Sequence, residues 1–313
     1  MTTAGSGLTA ASRAAAAGLE LTVLRRLDGL LQGDHGGLLP GHGSETGEAR
    51  LYEPGDDTRR LDWALTARTT APHVRDTVSD HELEMWLVVD DSASLAFGTA
   101  RCEKHDVAWG AAGAFALLAS KGGNRVGALT ASGSRSSPLS AARAGFPARS
   151  GRQHVGTILA ALRRPPEEGA TADLGAALST LRRHARRRGL VVVVSDFLVP
   201  EGWDRPLRAI ASRHDVVAVE VIDPRELALP DVGPLAVVDP ESGRRRFVDT
   251  GDAALRLRYA EAAQAQRADV ARRIAAAGAH HLVLRTDRDW VVDLVRFVGG
   301  RRRQRYAAPG GRR

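Results

Sequence analysis

After Leu83 the chain alternates between two kinds of text, and that alternation limits the fold more than any other feature. Five short apolar runs, Met85–Asp90, Arg125–Thr130, Leu190–Ser195, Asp215–Ile222 and His281–Arg285, have strand length and are β-branched or leucine-rich. Interleaved with them are segments with apolar residues at helical spacing: Arg101–Ser120, His154–Arg163, Asp173–Arg187, Trp203–Ser212, Ala253–Ala277 and Trp290–Gly299. The strand runs lack strict apolar–polar alternation, which suits a sheet covered on both faces. The pattern predicts an α/β fold built on a doubly wound, mainly parallel, Rossmann-like sheet. "LAVVDPESGRRRFV", Leu235–Val248, reads as an antiparallel hairpin turning at "PESG".

The text before Leu83 is different. Residues 1–13 are small and polar and read as disordered, and 14–31 read as an amphipathic helix with Leu19, Val23, Leu24, Leu27 and Leu31 at helical spacing. A glycine-rich loop follows, then a polar stretch from Arg50 to Ser79 read as extended segments and turns. The expected organisation is a disordered start (1–13), an N-terminal helix with an extended, β-type appendage (14–80), a main domain (81–300) and a basic tail (301–313).

Composition excludes several classes. With 43% hydrophobic residues in 313, the chain can bury a full core, and its one cysteine, Cys102, excludes an internal disulfide and a Cys-based zinc centre. The sequence "AAAAGLELTVL" is too short to span a bilayer and is broken by Glu20, so the cytoplasm is the expected compartment. A net charge of +7 raises nucleic acid as a partner. The basic runs argue against it: "RRHARRR" ends a helix, where cations meet the negative end of the macrodipole, and "RRRQRYAAPGGRR" reads as a frayed tail. Neither has the interleaved aromatics of a single-strand binder. The signatures G-x-x-x-x-G-K-[ST], G-x-S-x-G and H-E-x-x-H are absent, so any ATP use belongs to a partner.

The chemistry concentrates at "VVDDSAS". In an open parallel sheet, ligands bind beyond the carboxyl ends of the strands. Asp90 ends the first strand, Asp196 ends the run "LVVVVS", and Thr171 lies between them after a loop of small residues. Asp90, Ser92 and Ser94 alternate, so they share one side of their loop, while Asp91 points elsewhere. All five donors, Asp90, Ser92, Ser94, Thr171 and Asp196, are hard oxygens, the chemistry of Mg2+, Mn2+ or Ca2+ rather than of a soft metal. Each residue also has an ordinary explanation as a helix cap or strand terminator.

D-x-S-x-S at Asp90–Ser94, the loop Thr171 and the strand-end Asp196 resemble the metal-ion-dependent adhesion site of von Willebrand factor A domains. That resemblance implies a divalent ion held by the serines and threonine, its shell completed by an acidic residue of a protein partner. "GHGSETGEARLYEPGDDTRRLDW" (Gly41–Trp63), "TARTTAPHVRD" and "IDPRELALPDVGPLAVVDPESGRRRFVDT" (Ile222–Thr250) look like the bacterial family called domain of unknown function 58. The resemblance spans about residues 41–299 and implies an adaptor or assembly factor working with a MoxR-type AAA+ ATPase, and no enzyme activity of its own. Many relatives carry two membrane helices before this signature; the 14–31 segment is too charged and short, which speaks against membrane anchoring.

Within the signature, Pro54-Gly55 is a turn, and Asp56, Asp57 and Asp62 stand among Arg59, Arg60 and Arg68. Bidentate Arg–carboxylate pairs anchored by Tyr52 and Trp63 are the structural reading, and a partner-docking face is the functional one. Two other functions stay open at this stage. A magnesium phosphohydrolase would use Asp90 as nucleophile, though Ser92 stands where a second carboxylate is usual and neither Lys104 nor Lys121 follows a later strand. A basic nucleic-acid-binding protein is favoured by charge alone.

Overall fold

The computed structural model describes residues 49–52, 61, 63–69, 71–75, 83–131 and 145–307. The expected N-terminal segments 1–13 and 14–31 lie outside the described residues, as do Gly55, Asp56, Asp57, Arg59 and Asp62 of the signature. The described part opens on a small antiparallel pair, β1 (Ala49–Leu51) and β2 (His73–Arg75), with a helix at Trp63–Thr69 between them. That helix falls in a stretch expected to be extended.

The main sheet takes β3 (Glu84–Val89), β4 (Arg125–Thr130), β5 (Phe146–Arg149), β6 (Gly189–Ser195) and β7 (Asp215–Ile222). The chain then leaves it for a two-stranded hairpin, β8 (Pro234–Val238) with β9 (Arg245–Asp249), and returns as β10 (His280–Arg285). The spatial order is β10-β7-β6-β3-β4-β5, and all neighbours are parallel except β5, which runs antiparallel to β4. This is the mainly parallel, Rossmann-like sheet that the strand–helix alternation predicts. The hairpin also stands where "PESG" places its turn. The edge strand β5 is an addition.

Side chains alternate across each strand, so the buried run of β3 feeds two cores. Met85, Leu87 and Val89 pack with buried residues of the Lys104–Lys121, Arg152–Leu162 and Trp290–Ala307 helices. Trp86 and Val88 pack on the other face with the Leu174–His184, Asp204–Ala211 and Ala253–Ala276 helices. The Lys104–Lys121 helix is alanine- and glycine-rich because it is pressed close on several sides. A Cβ on Gly110 would lie 2.6 Å from the Trp290 ring.

Two expectations at the ends are corrected. The last helix does not stop at Gly299 but continues to Ala307, so the basic tail starts inside a helix. The reason is Arg301, whose guanidinium bonds to Asp215 at 2.5 Å and lies over the Phe297 ring. Trp63, expected to anchor the signature, is 71% exposed at the start of its short helix. Tyr52 is half-buried and its backbone N–H donates to Pro72.

Candidate cation site at the carboxyl edge of the sheet

The chain runs from β3 outward to β4 and β5, then crosses back to build β6, β7 and β10 on the other side. The crevice between β3 and β6 is therefore the topological switch point, where open α/β sheets bind ligands. Three central strands each end on a buried carboxylate: Asp90 after β3, Asp196 after β6 and Asp223 after β7.

The first two are joined by a chain of hydroxyls. Ser92 donates from Oγ (2.7 Å) and from its backbone N–H (2.9 Å) to Asp90 Oδ1. Ser94 Oγ donates to Asp196 Oδ2 at 2.7 Å. Ser195 Oγ donates to Asp90 Oδ2 at 2.5 Å and accepts the Phe197 N–H. Each serine has one hydroxyl hydrogen, and a carboxylate lies within reach of those of Ser92 and Ser94. Ser92 Oγ and Ser94 Oγ also stand 2.9 Å apart, within hydrogen-bond distance, and either hydroxyl can donate to the other; when both hydrogens go to the carboxylates, the two oxygens face each other with lone pairs.

Loop stitching explains how distant parts of the sequence converge. Asp90 N–H donates to the Val194 carbonyl, Ala93 N–H to Ala170, and Asp173 N–H to Ala131. The Ala93–Ala170 bond brings the loop that precedes Thr171 against the Ser92–Ser94 segment, and Thr171, the next residue, is exposed. The helix after it is capped by Asp173, whose Oδ1 accepts the Ala176 N–H, not by Thr171. Asp91 faces away, as its alternation requires. Burial pushes its carboxyl up to about 6, with His105 lowering it and Glu167 raising it. His105 accordingly sits on that outer side, its Nε2 3.1 Å from the Arg163 carbonyl.

Sequence reasoning missed Lys104. Its side chain is fully buried and its ammonium donates to Asp196 Oδ2 at 2.7 Å and to Glu226 Oε1 at 2.5 Å. Burial lowers the Lys104 pKa, but Asp196 and Glu226 more than reverse that and hold it charged. Burial likewise raises Asp196, while the Lys104 charge, the hydrogen bonds from Lys104 and Ser94, and the Leu198 N–H bring its carboxyl below the usual range. Asp90 has no such partner: burial, then the charge of Asp196, pushes its carboxyl up to about 6 despite the two serine hydroxyls. Asp223 is also raised by burial but ends low, since Thr99, Thr286 and the Arg225 N–H all donate to it. Nearby, Arg267 pairs with Glu220 at 2.9 Å and lies 3.9 Å from Glu226. Fully ionised, Asp90, Asp196, Glu220 and Glu226 carry two more charges than Lys104 and Arg267 neutralise, and the His281 ring also pairs with Glu220 at 2.8 Å.

These donors fit a small dication. Among the described residues no group of three or more His, Cys, Asp or Glu side chains is arranged to hold a metal ion, so the candidate donors here are the serine hydroxyls. In an octahedral magnesium shell, adjacent oxygens stand roughly 2.9 Å apart, from metal–oxygen distances of about 2.0–2.1 Å. The Ser92–Ser94 separation is that of such an edge and also that of an ordinary hydroxyl–hydroxyl hydrogen bond. Ser92 and Ser94 would hold the ion, with Asp90 and Asp196 orienting their hydroxyls and supplying charge. Phe197 adjoins this network with a positive φ of 56°, an uncommon backbone state for a bulky residue. It is held there by the Phe197 N–H to Ser195 bond and by packing on Trp203.

The fold and this edge define an α/β protein with a Rossmann-like sheet and an oxygen-rich cluster at its switch point. The chain belongs to the family described as protein of unknown function DUF58, whose model matches residues 48–269. It is 58% identical over 287 residues to uncharacterized proteins of Mycobacterium tuberculosis and Mycobacterium bovis, covering 91% of this chain and 88% of theirs. Among solved structures, conserved hypothetical protein BatB from Bacteroides thetaiotaomicron is 14% identical, with a TM-score of 0.45 over 72% of this chain and 100% of that one. An aerotolerance-related membrane protein from Bacteroides fragilis is 15% identical, with a TM-score of 0.42 over 71% and 99%. Among the described residues of this chain, no helix is long and apolar enough to cross a membrane.

Proposed function

We propose that the chain is a non-enzymatic, divalent-cation-dependent protein-interaction module, a von Willebrand factor A-like domain with a metal-ion-dependent adhesion site. The observation that carries this reading is the pair of serine oxygens, 2.9 Å apart, each also in hydrogen-bond contact with a buried carboxylate, Asp90 or Asp196. A cation bound by both oxygens replaces the contact between them, and its charge relieves the burial and the Asp196 charge that raise the Asp90 carboxyl. Mg2+ is the ion of choice, with Mn2+ or Ca2+ as chemical equivalents. Thr171, exposed on the adjoining loop, adds a third hydroxyl at the rim.

The partner supplies a carboxylate to the open side of the ion. That it is a MoxR-type AAA+ ATPase follows from the family resemblance and not from geometry. The test is capture of a purified MoxR-type ATPase on the immobilised chain. Capture in Mg2+ that is lost with the paired change Ser92→Ala, Ser94→Ala supports the reading; equal capture by that variant refutes it.

A second reading gains from Lys104. A magnesium phosphohydrolase using Asp90 lacks an evident lysine in the sequence, and the fold brings one into the cluster. Against it, Asp90 is 2% exposed and both its oxygens already accept hydrogen bonds. Magnesium-dependent turnover of a generic phosphoester that vanishes in Asp90→Asn would establish this second reading.

A further inference from the structure

The β8–β9 hairpin is held at both ends and bare between them. At its turn Asp239 Oδ1 accepts the Glu241 N–H at 3.1 Å, and the Asp239 carbonyl accepts the Gly243 N–H at 2.8 Å. At its base Thr250 donates to the Gly233 carbonyl from its N–H at 2.8 Å and from Oγ1 at 2.7 Å. Side chains alternate across the ribbon, so the register of the two strands sorts them into two faces. Leu235 and Val248, on one face, are half-buried. On the other, Pro234, Ala236, Val238, Arg245, Phe247 and Asp249 are all exposed. An antiparallel face that meets only water is expected to be polar. Here four of the six residues are apolar, Phe247 foremost.

The outer edge of β9 is as open as this face. Hydrogen-bonded pairs alternate along an antiparallel ladder. The Asp239 N–H donates to Arg244 at one end and the Thr250 N–H to Gly233 at the other, which makes Val237–Arg246 and Leu235–Val248 the bonded pairs between them. The backbone N–H and C=O of Arg245 and Phe247 therefore point outward, and among the described residues no backbone hydrogen bond reaches them. An uncovered edge is a template for another strand. Arginine blunts such an edge by repulsion, but β9 also carries the opposite charge on the same face. Arg245 stands two residues before Phe247, and Asp249 two residues after it.

We propose that this edge joins a second copy of the chain, β9 pairing antiparallel with β9 of that copy about a two-fold axis at Phe247. In that register the two Phe247 rings are cross-strand neighbours, and Arg245 of each copy stands opposite Asp249 of the other. An axis at Arg245 or at Asp249 would instead set like charges face to face, which is destabilising. The edge is thus self-complementary, as a two-fold interface requires. Pairing joins the two hairpins into one four-stranded ribbon with a continuous apolar face, and gives a role to strands that take no part in the main sheet. Asp249 Oδ1 accepts the Gly251 N–H at 2.9 Å, which orients the carboxylate and leaves Oδ2 for the arginine. An anionic membrane suits the hairpin less well, because its turn carries Asp239 and Glu241.

The pairing uses no residue of the cation site, so it is tested without metal. Sedimentation equilibrium of the full chain in EDTA compares wild type, Phe247→Ser, Arg245→Asp, and Arg245→Asp combined with Asp249→Arg. All three positions are exposed, so the core is untouched. Two short strands bury little surface, and the wild type should pass from monomer to dimer as its concentration is raised. Phe247→Ser and Arg245→Asp should each weaken the dimer roughly tenfold or more, since every change is felt twice across the axis. The combined variant exchanges the two charges and should recover most of the Arg245→Asp loss. A wild type that stays monomeric at every concentration overturns the proposal. So does a dimer indifferent to Phe247→Ser or to Arg245→Asp, or an Arg245→Asp defect that the charge exchange leaves in place.

Discussion

The carboxyl edge of the sheet and the β8–β9 hairpin break the usual sorting of side chains in opposite senses. At the edge, Lys104, Asp196, Ser92 and Ser195 are wholly shielded from solvent. On the hairpin, Phe247 is 83% exposed, with Val237 and Val238 exposed beside it. Buried charge is tolerated only where partners are supplied, and the edge supplies nearly all of them: Lys104 for Asp196 and Glu226, Arg267 for Glu220, hydroxyls for Asp223. What remains without a counter-charge is Asp90, held only by hydroxyls and a backbone N–H. The hairpin carries apolar surface that does no packing. The contrast separates groups that hold the fold from groups held ready for something else.

Lys104→Met is the sharpest way to break the first half of that contrast. It leaves Asp196 and Glu226 buried without their ammonium, and the expected loss is about 3–5 kcal/mol in denaturant unfolding. A loss under about 1 kcal/mol would mean that the edge is wetter and looser than described.

The cation effect comes next in size. Without metal, Asp90 titrates near 6 when folded and near 3.9 when unfolded, so the folded state binds the extra proton between those values. Its contribution to stability is full below about pH 4 and is lost as pH rises through about 6. Magnesium should act with the opposite slope, raising Tm strongly at pH 7.5 and little at pH 5, where protons compete for Asp90. At a hundredfold excess over Kd the gain is about 2.7 kcal/mol. Asp90→Asn should abolish the magnesium shift and flatten this part of the metal-free pH profile. A magnesium shift that persists in Asp90→Asn would place the ion elsewhere.

Phe247→Ser should do least. An exposed side chain outside any core changes stability by no more than about 0.5 kcal/mol. A larger loss, measured in the same unfolding assay, would show that the hairpin is packed against something and belongs with the fold-holding groups.

Much of the sheet was legible because apolar runs of strand length repeat between helical segments, and β3, β4, β6, β7 and β10 fall on those runs. β5 escaped because "FPAR" is short, contains a proline and alternates only weakly, as an edge strand can. The tail was misread because Gly299–Gly300 looks like a helix stop, whereas the Arg301–Asp215 pair, 86 positions apart, carries the helix past it. At the site, Asp90, Ser92 and Ser94 could be found by spacing and Asp196 by its place after "LVVVVS". Lys104 could not, because nothing local distinguishes a lysine in the first turn of a helix from a solvated one. Its role depends on two carboxylates, 92 and 122 positions further on. Ser195 was hidden by its ordinary place as the last residue of a strand.

The cation reading depends on the two serine oxygens, 2.9 Å apart at the β3 switch point. The measurement that reaches them most directly is an anomalous difference map from crystals of the full chain grown with Mn2+. A single strong peak within bonding distance of both Ser92 Oγ and Ser94 Oγ, with Asp90 beside it, is the predicted result. A map with no peak there, and Ser92 instead hydrogen-bonded to Ser94 against a protonated Asp90, would contradict it.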